Sequence, residues 1–236
     1  MMIKQKESSS LVPEEKYFFD PFVIKVEMDG EGNVWKPTPH GLALANGMVK
    51  VPHVFCGKSM IEIGAGSGIH AILALKLGAR SMDITEINQI SLTIAQKNAD
   101  NNQVLYRHQW LKDWMNFDPP QKYDFVLCNP PFCKSGKSDR RWFIKSLIEE
   151  SKRFLNPGGY IIFCQSSMAN FSKTERELTE NNYIYEVVHR TRGLFRDYYF
   201  TEPGFIEESR QVENGFEIIN GEYIETLQVY LATFKG

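Results

Sequence analysis

The sequence is poor in the features that mark membrane, secreted and metal-binding proteins. No apolar run among its 236 residues approaches the length that crosses a bilayer, and its polar first residues lack the apolar centre of an export signal. The four cysteines have no paired spacing, and the five histidines have no spacing typical of metal ligands. We therefore expect a cytoplasmic protein with free thiols, no bound metal and no membrane contact.

The chain also lacks features that would divide it or attract charged partners. It has no internal repeat, low-complexity tract or linker-like stretch, and 27 Lys and Arg are balanced by 29 Asp and Glu, for a formal net charge of -2. This balance gives no general attraction for nucleic acid or anionic membranes, so a nucleic-acid partner would need a local basic patch. The length suits a single α/β domain with additions.

Strand-like and helix-like segments alternate along the chain. Strands are predicted at 16–19, 22–26, 60–63, 80–85, 104–108, 123–128, 160–164, 183–188 and 225–232, and a turn at 29–33 can return the first of them as a hairpin. The predicted single domain, 1–236, then consists of an N-terminal β-hairpin and lid segment at 1–50, a cofactor-binding core at 51–190, an insertion at 191–221 and a last strand at 222–236.

Three glycines at alternate positions, Gly64, Gly66 and Gly68, join a short apolar strand to a helical pattern that begins at Ile69. Glycine lets the backbone bend sharply and approach a ligand, and the first turn of the following helix presents free N–H groups there. The turn, with Ala65 between its glycines, is therefore predicted to bind a nucleoside-like cofactor.

The residues around these glycines discriminate between two such cofactors. In the dinucleotide fingerprint the third glycine would fall at position 69, which is Ile69 here. Glu62, just before the glycines, would repel a pyrophosphate but suits the amino group and sulfonium of S-adenosylmethionine. The turn therefore favours S-adenosylmethionine, and an NAD-dependent oxidoreductase is the alternative from a different class.

Two further carboxylates follow predicted strands. Glu86 lies about 20 residues beyond the glycines, at the end of a strand where a carboxylate takes up both ribose hydroxyls of a nucleoside; Asp83, inside that strand, is the lesser candidate. Asp113 and Trp114 follow the next predicted strand, where a carboxylate can accept a hydrogen bond from an adenine amino group and an indole can cover the base. The ordinary interpretation of Asp113 is a loop cap.

The tetrapeptide Asn129-Pro130-Pro131-Phe132 follows the predicted buried strand 123–128. Its prolines fix a rigid exit at the edge where α/β sheets bind ligands. The Asn129 side-chain oxygen and the Pro130 carbonyl can accept both N–H bonds of a planar amine, and Phe132 can stack on a flat acceptor. These residue types predict a site that presents a nitrogen for group transfer, without a strong general base.

A stiff segment precedes the core. Trp35, Pro37 and His40 surround a helix start, which predicts a lid over the cofactor. The ordinary interpretation is that Thr38 caps a helix whose first residue is Pro39, and both descriptions can hold together.

Taken together, these motifs resemble the class I S-adenosylmethionine-dependent methyltransferases, and most closely their small Asn-Pro-Pro-(Tyr/Phe) branch. This branch includes release-factor glutamine methyltransferases and adenine-N6 and guanine-N2 nucleic-acid enzymes. The resemblance covers residues 34–188 and implies a Rossmann-like, doubly wound α/β fold, with a seven-stranded, mostly parallel sheet, an antiparallel final strand and a short N-terminal β extension. It assigns the glycine turn and Glu62 to the methionine part of the cofactor, Glu86 to the ribose, Asp113 and Trp114 to the adenine, the lid residues to its closure and 129–132 to the acceptor.

The resemblance implies methyl transfer to a planar amide or exocyclic amino nitrogen and leaves the acceptor open. A protein glutamine is favoured because the chain lacks overall positive charge. A nucleic-acid base is the alternative, supported by a run of basic residues whose ordinary interpretation is a solvated helix start, namely Lys134, Lys137, Arg140 and Arg141. A small molecule is a further possibility, Phe132 departs from the tyrosine of the glutamine enzymes, and the oligomeric state is not predicted.

Overall fold

The computed structural model describes residues 14–29, 32, 34, 36–131 and 140–236. The strands in these ranges are β1 (Glu14–Phe19), β2 (Phe22–Glu27), β3 (Ser59–Ile63), β4 (Ser81–Glu86), β5 (His108–Leu111), β6 (Tyr123–Cys128), β7 (Leu155–Ser166), β8 (Tyr183–Leu194), β9 (Glu217–Ile219) and β10 (Glu222–Phe234). The helices are α1 (Pro39–Met48), α2 (Ile69–Lys76), α3 (Gln89–Asn101), α4 (Trp142–Glu150), α5 (Phe171–Glu180), α6 (Tyr198–Thr201) and α7 (Phe205–Arg210). None of these helices has the length and apolar character needed to cross a membrane.

The central sheet has the strand order β5-β4-β3-β6-β7-β10-β8. Strands β3 to β7 pair in parallel, whereas β10 is antiparallel to both of its neighbours, and the short β9 adds an eighth strand against the start of β10. The predicted seven-stranded, mostly parallel sheet with an antiparallel final strand is confirmed along the main path of the sheet. Helical crossovers keep successive strands parallel until a hairpin reverses the last one.

Helices cover both faces of the sheet, because strand residues alternate between two apolar cores. On β3, Met60 packs with the residues of α1, α2 and α3, while its neighbour Ile61 packs with those of α4 and α5. On β6, Leu127 packs in the first of these cores and its neighbour Val126 in the second. The strand order changes direction between β3 and β6. Folds of this kind bind ligands at such a point, at the carboxyl ends of the strands.

The N-terminal hairpin is formed by β1 and β2, with a tight turn at Asp20 and Pro21. The prediction that a turn at 29–33 closes a hairpin is therefore wrong, because β1 and β2 already pair from Phe19–Phe22 outward. Ile24 and Val26 are fully buried in the core beside α2 and α3.

Two asparagines, one in α3 and one that caps its C-terminus, dock this hairpin onto the core. The amide of Asn98 accepts from the Glu27 N–H at 2.7 Å and donates to the Glu27 carbonyl, and the amide of Asn102 makes the same pair of bonds with Lys25. The backbone edge of β2 is thus satisfied by side chains. Asn98 also donates to the Ser67 carbonyl at 2.9 Å, so it joins the hairpin to the glycine turn.

Several predicted strand limits differ from the structure, three of them by four residues or more. The third strand of the core begins at His108 rather than 104, because the preceding residues cross from α3 to the sheet: Val104 N–H bonds the Ala99 carbonyl, and Tyr106 points its hydroxyl to Gly68. Strand β7 begins at Leu155, before the predicted 160. Strand β8 continues to Leu194, past the predicted start of the insertion, so α6, α7 and β9 form the rest of that segment.

Candidate active site

Strand register places the predicted site residues in one row at the carboxyl edge of the sheet. Ile63, the last residue of β3, is paired with the last residue of β6 and with the last but one of β4. Gly64 and Asn129 therefore leave neighbouring strands at the same level, and Glu86 ends β4 beside them. Neighbouring strands are about 4.8 Å apart, so these residues border a single crevice.

The glycine turn is anchored to β4 by its backbone. Gly64 and Ala65 donate their N–H groups to the Thr85 carbonyl at 3.0 and 3.1 Å. The three glycines have φ angles of 67°, 54° and 79° at positions 64, 66 and 68, in the left-handed region that other residues rarely adopt. The conformation predicted from the sequence is present.

Side-chain space differs among these glycines. A Cβ at Gly64 or Gly66 would have no atom within 4 Å, whereas a Cβ at Gly68 would overlap the Tyr106 hydroxyl and touch Ala95. Gly68 is therefore required by the protein's own packing. Gly64 and Gly66 instead leave room beside the crevice, as a turn that cradles a bulky cofactor needs.

Glu86 connects β4 to this turn. Its Oε2 accepts the Gly66 N–H at 2.9 Å, and its Oε1 accepts the N–H groups of Ile87 and Asn88 at 2.8 and 3.1 Å. The carboxylate is thereby held at the position where the sequence predicts a ribose ligand. Binding a ribose diol there stays a prediction.

Glu62 lies deeper than the glycines. Its side chain is 1% exposed, its Oε2 accepts the Ala71 N–H at 3.0 Å, and its Oε1 lies 3.2 Å from His70 Nδ1. Burial raises the pKa of this carboxyl, although the contacts with His70 and Ala71 oppose the rise. His70 Nε2 in turn contacts the Gly41 carbonyl at 2.9 Å. Glu62 therefore holds α2 and, through His70, α1, and its assignment to the cofactor stays a prediction.

Asp113 and Trp114 follow β5. Asp113 Oδ1 accepts the Met115 N–H at 3.0 Å and caps a single 3-10 turn, which is the ordinary interpretation given above. The Trp114 indole is 5% exposed and packs against Phe143 and Phe154, with ring centroids 5.6 and 6.4 Å away. Packing alone accounts for this tryptophan, and the assignment of both residues to adenine stays a prediction.

The acceptor motif leaves β6 as predicted, with Pro130 buried and Pro131 exposed; Phe132 lies outside the described residues. Asn129 Oδ1 is buried and has no hydrogen-bond partner among the residues that the structure describes. Such orphaned oxygens are rare in folded proteins and indicate a missing donor. A Cβ at Gly41 would lie 3.4 Å from Asn129 Nδ2, so the first turn of α1 borders the motif.

The lid segment ends in that first turn. Thr38 Oγ1 accepts the Gly41 N–H at 3.3 Å and Pro39 is the first helical residue, so the predicted cap is present. Pro37 is half-buried and His40 is buried, while Trp35 lies outside the described residues. His40 faces Glu225 of β10, with its Nε2 3.6 Å from Glu225 Oε2. Closure of these residues over the cofactor stays a prediction.

The two described arginines of the basic run are engaged within the protein. Arg140 donates to Glu208 and to the Pro203 carbonyl in the insertion, at 2.5 and 2.6 Å. Arg141 is buried and bonds Thr174 and Glu177 of α5. The interpretation of these arginines as a solvated helix start is therefore wrong, because α4 begins between two packed elements. Lys134 and Lys137 lie outside the described residues.

The fold and the glycine crevice are those of an S-adenosylmethionine-dependent methyltransferase with a Rossmann-like sheet. Residues 44–195 match the family model described as the methyltransferase small domain, and this match covers more than half of the chain. The protein belongs to that family and uses S-adenosylmethionine as its cofactor. The alternative of an NAD-dependent oxidoreductase is set aside.

Relatives of this chain differ in the acceptors that their names give. A protein of Methanocaldococcus jannaschii, whose name proposes a protein N5-glutamine methyltransferase, is 25% identical over 189 residues, or 74% of this chain and 92% of the relative. A ribosomal protein L11 methyltransferase of Lactobacillus delbrueckii subsp. bulgaricus is 30% identical over 181 residues, and this chain spans 52% of its length. Similarity in sequence therefore establishes the reaction class and leaves the acceptor open.

Solved structures support the fold. A T. thermophilus 16S rRNA N2 G1207 methyltransferase, in complex with AdoMet and guanosine, has a TM-score of 0.59 and 15% identity, covering 94% of this chain and 50% of that one. A methyltransferase of unproven activity complexed with SAH gives a TM-score of 0.58, 13% identity and coverage of 92% and 56%. Identities this low support the architecture alone.

We expect Asn98→Ala to weaken both the fold and cofactor binding. The variant loses three hydrogen bonds, which should lower the free energy of unfolding by about 2–3 kcal/mol in urea titrations. It should also reduce affinity for S-adenosylhomocysteine, because the Ser67 carbonyl is released. Asn102→Ala is the matched control, because it removes the hydrogen bonds to Lys25 of the same hairpin but no bond to Ser67. It should destabilise the protein and leave the affinity for S-adenosylhomocysteine unchanged. Equal affinities in both variants would disprove the link to the glycine turn.

Proposed function

We propose that this methyltransferase acts on a planar nitrogen, and that its acceptor is the side-chain amide of a glutamine in a protein. The observation that carries the proposal is the Asn129 side-chain oxygen, buried without a hydrogen-bond partner among the described residues and bordering the glycine crevice. Its missing donor fits an N–H of the acceptor. A donor group on the substrate would remove the cost of that unpaired oxygen.

The residues of the chain suit this chemistry. Asn129 Oδ1 and the Pro130 carbonyl would each accept one N–H of the acceptor's NH2 group, which favours a pyramidal nitrogen and frees a lone pair otherwise delocalised into the amide. Gly64, Gly66 and Glu86 would hold the cofactor, which supplies an electrophilic methyl group when bound. The two prolines hold the acceptor loop rigid, so the orientation of the nitrogen is fixed before reaction.

Three observations favour a protein acceptor over a nucleic acid. Arg140 and Arg141 follow the acceptor loop but are paired with carboxylates and carbonyls of the protein itself, so they have little left to offer phosphates. The net charge of -2 adds no general attraction for a polyanion. The relative from M. jannaschii, matched over 92% of its length, bears a name that proposes glutamine methylation.

Transfer of labelled methyl groups tests the proposal. The purified protein is incubated with S-adenosylmethionine labelled in its methyl group and with fractionated cell extract, and the products are digested with protease or nuclease. We expect the label to be released by protease and to be recovered as N5-methylglutamine. Label that only nuclease releases would contradict a glutamine acceptor and identify a nucleobase as the acceptor.

A nucleobase acceptor is the second candidate, because a fold neighbour that covers 94% of this chain carries guanosine in its structure. This candidate requires a phosphate contact, for which Lys134 and Lys137 are available in the sequence. RNA binding that weakens steeply with salt, and that falls in the Lys134→Ala, Lys137→Ala double variant, would favour it. No RNA binding at low salt would exclude it.

A further inference from the structure

A second set of unsatisfied polar atoms lies between α1 and β10. His40 is 3% exposed, and neither of its ring nitrogens has a hydrogen-bond partner among the described residues. Glu225 is fully buried, and its Oε2 also lacks a partner. These unpaired atoms face each other, with His40 Nε2 3.6 Å from Glu225 Oε2. Buried polar groups are nearly always paired, so an unsatisfied imidazole and carboxylate together indicate a functional pair.

Strand register brings Glu225 to the same edge as the acceptor motif. Cys128, where β6 ends, is paired with Phe163 of β7, and β7 continues to Ser166, which is paired with Leu227 of β10. Because β10 runs antiparallel, Glu225 lies further still beyond the end of β6. The other member of the pair, His40, precedes the Gly41 that borders Asn129. The pair and Asn129 therefore lie at the same edge of the sheet.

Neighbouring groups of β7 and of the insertion influence the charges of His40 and Glu225. On the insertion, Tyr199 donates to Glu225 Oε1 at 3.5 Å, and Arg196 donates to the Tyr199 hydroxyl at 3.3 Å. Burial raises the pKa of Glu225 to about 7, against opposing effects of Ser166, Arg196 and Tyr199. Burial, helped by the positive charge of Arg196, lowers the pKa of His40 to about 3. The imidazole is therefore neutral, and Glu225 changes charge near neutral pH.

Two other titratable sites adjoin the pair. The Cys164 thiol of β7 feels the charge of Glu225, and burial keeps its pKa well above the usual range, so it remains uncharged. On the far side of Gly41, the Glu62–His70 pair bonds the Gly41 carbonyl. Among the described residues, Glu225 Oε2 has no hydrogen-bond partner, and it lies 3.6 Å from His40 Nε2.

We propose that His40 and Glu225 form a proton-accepting pair for methyl transfer, an inference that rests on the proposed N-methyltransferase function. The acceptor nitrogen forms a bond to the methyl carbon as the carbon–sulfur bond breaks, and the electron pair of that bond stays on sulfur. The nitrogen, now cationic, loses one N–H proton to His40 Nδ1. His40 passes its Nε2 proton to Glu225 Oε2, which leaves a neutral imidazole and a neutral carboxylic acid.

The surroundings favour completion of this transfer. A cation formed in a buried site is destabilised by the loss of water, and movement of its proton to an anionic carboxylate removes both charges. Arg196 opposes a second positive charge on His40, so the proton does not remain on the imidazole. Residues beyond 195 lie outside the family match, and both Arg196 and Glu225 are among them. The insertion and β10 thus contribute a catalytic element to the core.

The experiment compares Glu225→Gln with Glu222→Gln, a matched loss of one carboxylate at an exposed position of the same strand. Single-turnover methyl transfer is measured from pH 5.5 to 9 with whichever extract fraction the unaltered enzyme labels. We expect the unaltered rate to rise with pH through about 7 and then level off. Glu225→Gln should lower the plateau about 100-fold and abolish the rise, and His40→Gln should do the same, whereas Glu222→Gln should match the unaltered enzyme.

A second readout needs no acceptor. Infrared difference spectroscopy should detect a protonated carboxyl band with a titration midpoint near pH 7 that is absent from Glu225→Gln and present in Glu222→Gln. A raised pKa means that the folded protein disfavours ionised Glu225 above pH 7, so Glu225→Gln should keep its fold there, as unchanged affinity for S-adenosylhomocysteine would verify.

Two results would overturn the pair: a folded Glu225→Gln with an unaltered pH profile, or a rate within about threefold of the unaltered enzyme. Failure of the glutamine proposal is recognised separately, because it appears as label in a different acceptor with the unaltered enzyme itself.

Discussion

Replacing Asn129 by alanine should nearly abolish methyl transfer and leave cofactor binding intact. The side-chain oxygen of Asn129 is buried without a partner among the described residues, so no hydrogen bond within those residues is lost with it. The glycine turn and Glu86 are held by other bonds. Loss of one preorganised polar contact to a reacting group typically lowers kcat by about 100- to 1,000-fold. We expect that loss in kcat, with the dissociation constant of S-adenosylhomocysteine unchanged by calorimetry.

A matched control is Asn116→Ala, which removes the same amide from an exposed position after β5 and should alter neither quantity. The division of roles between acceptor motif and glycine turn depends on this contrast. If Asn129→Ala weakened S-adenosylhomocysteine binding as much as it lowered turnover, Asn129 would belong to the cofactor site instead. Pro130 would then be the remaining candidate for holding the acceptor.

Replacing Glu86 by glutamine should lower cofactor affinity by about 100-fold. A carboxylate that accepts both hydroxyls of a ribose makes two charge-assisted hydrogen bonds, and a neutral amide of the same size weakens both by a total of roughly 3 kcal/mol. The Glu86 carboxylate also fixes the Gly66 N–H, so the amide would loosen the turn that faces the cofactor. Titration calorimetry with S-adenosylhomocysteine measures the change directly.

Asp113→Asn is the comparison for this experiment. Asp113 is exposed and already caps a 3-10 turn through one oxygen, so its loss should cost less than about fivefold in affinity. If the affinity of Glu86→Gln for S-adenosylhomocysteine were within threefold of that of the unaltered enzyme, Glu86 would not hold the ribose. An equal loss in both variants would instead indicate that Asp113 carries as much of the adenosine as Glu86 does.

Local features of the sequence predicted the core of the site. Three glycines predict positive φ angles because other residues are strained there, and all three have them. Thr38 followed by Pro39 predicts a helix start. The threonine hydroxyl can accept a free N–H of the first turn, and proline is favoured as the first helical residue; the structure has that start. The ends of β3, β4 and β6 follow from apolar runs. Parallel pairing then brings Gly64, Glu86 and Asn129 to one edge.

Other features had weak or no local signals. Asn98 lies on the buried face of α3 and Asn102 caps the end of that helix four residues later, and this spacing was the only sign that they support another element. His70 had no sign beyond its place after the glycine turn. Segment 104–107 resembles a strand in composition, yet its residues are used to cross from α3 to the sheet. Its conformation depends on contacts that short-range patterns do not encode.

The sequence by itself determined the class of fold, the conformation of the glycine turn and the strand end that Asn129 follows, because each depends on backbone preferences within a few residues. Only the tertiary structure decided that Arg140 and Arg141 bond to other residues of the protein, and that His40 lies next to Glu225. These partners are far apart along the chain, and the order of strands β7, β10 and β8 brings them together. Their charge states follow from burial, which exists only once the chain has packed.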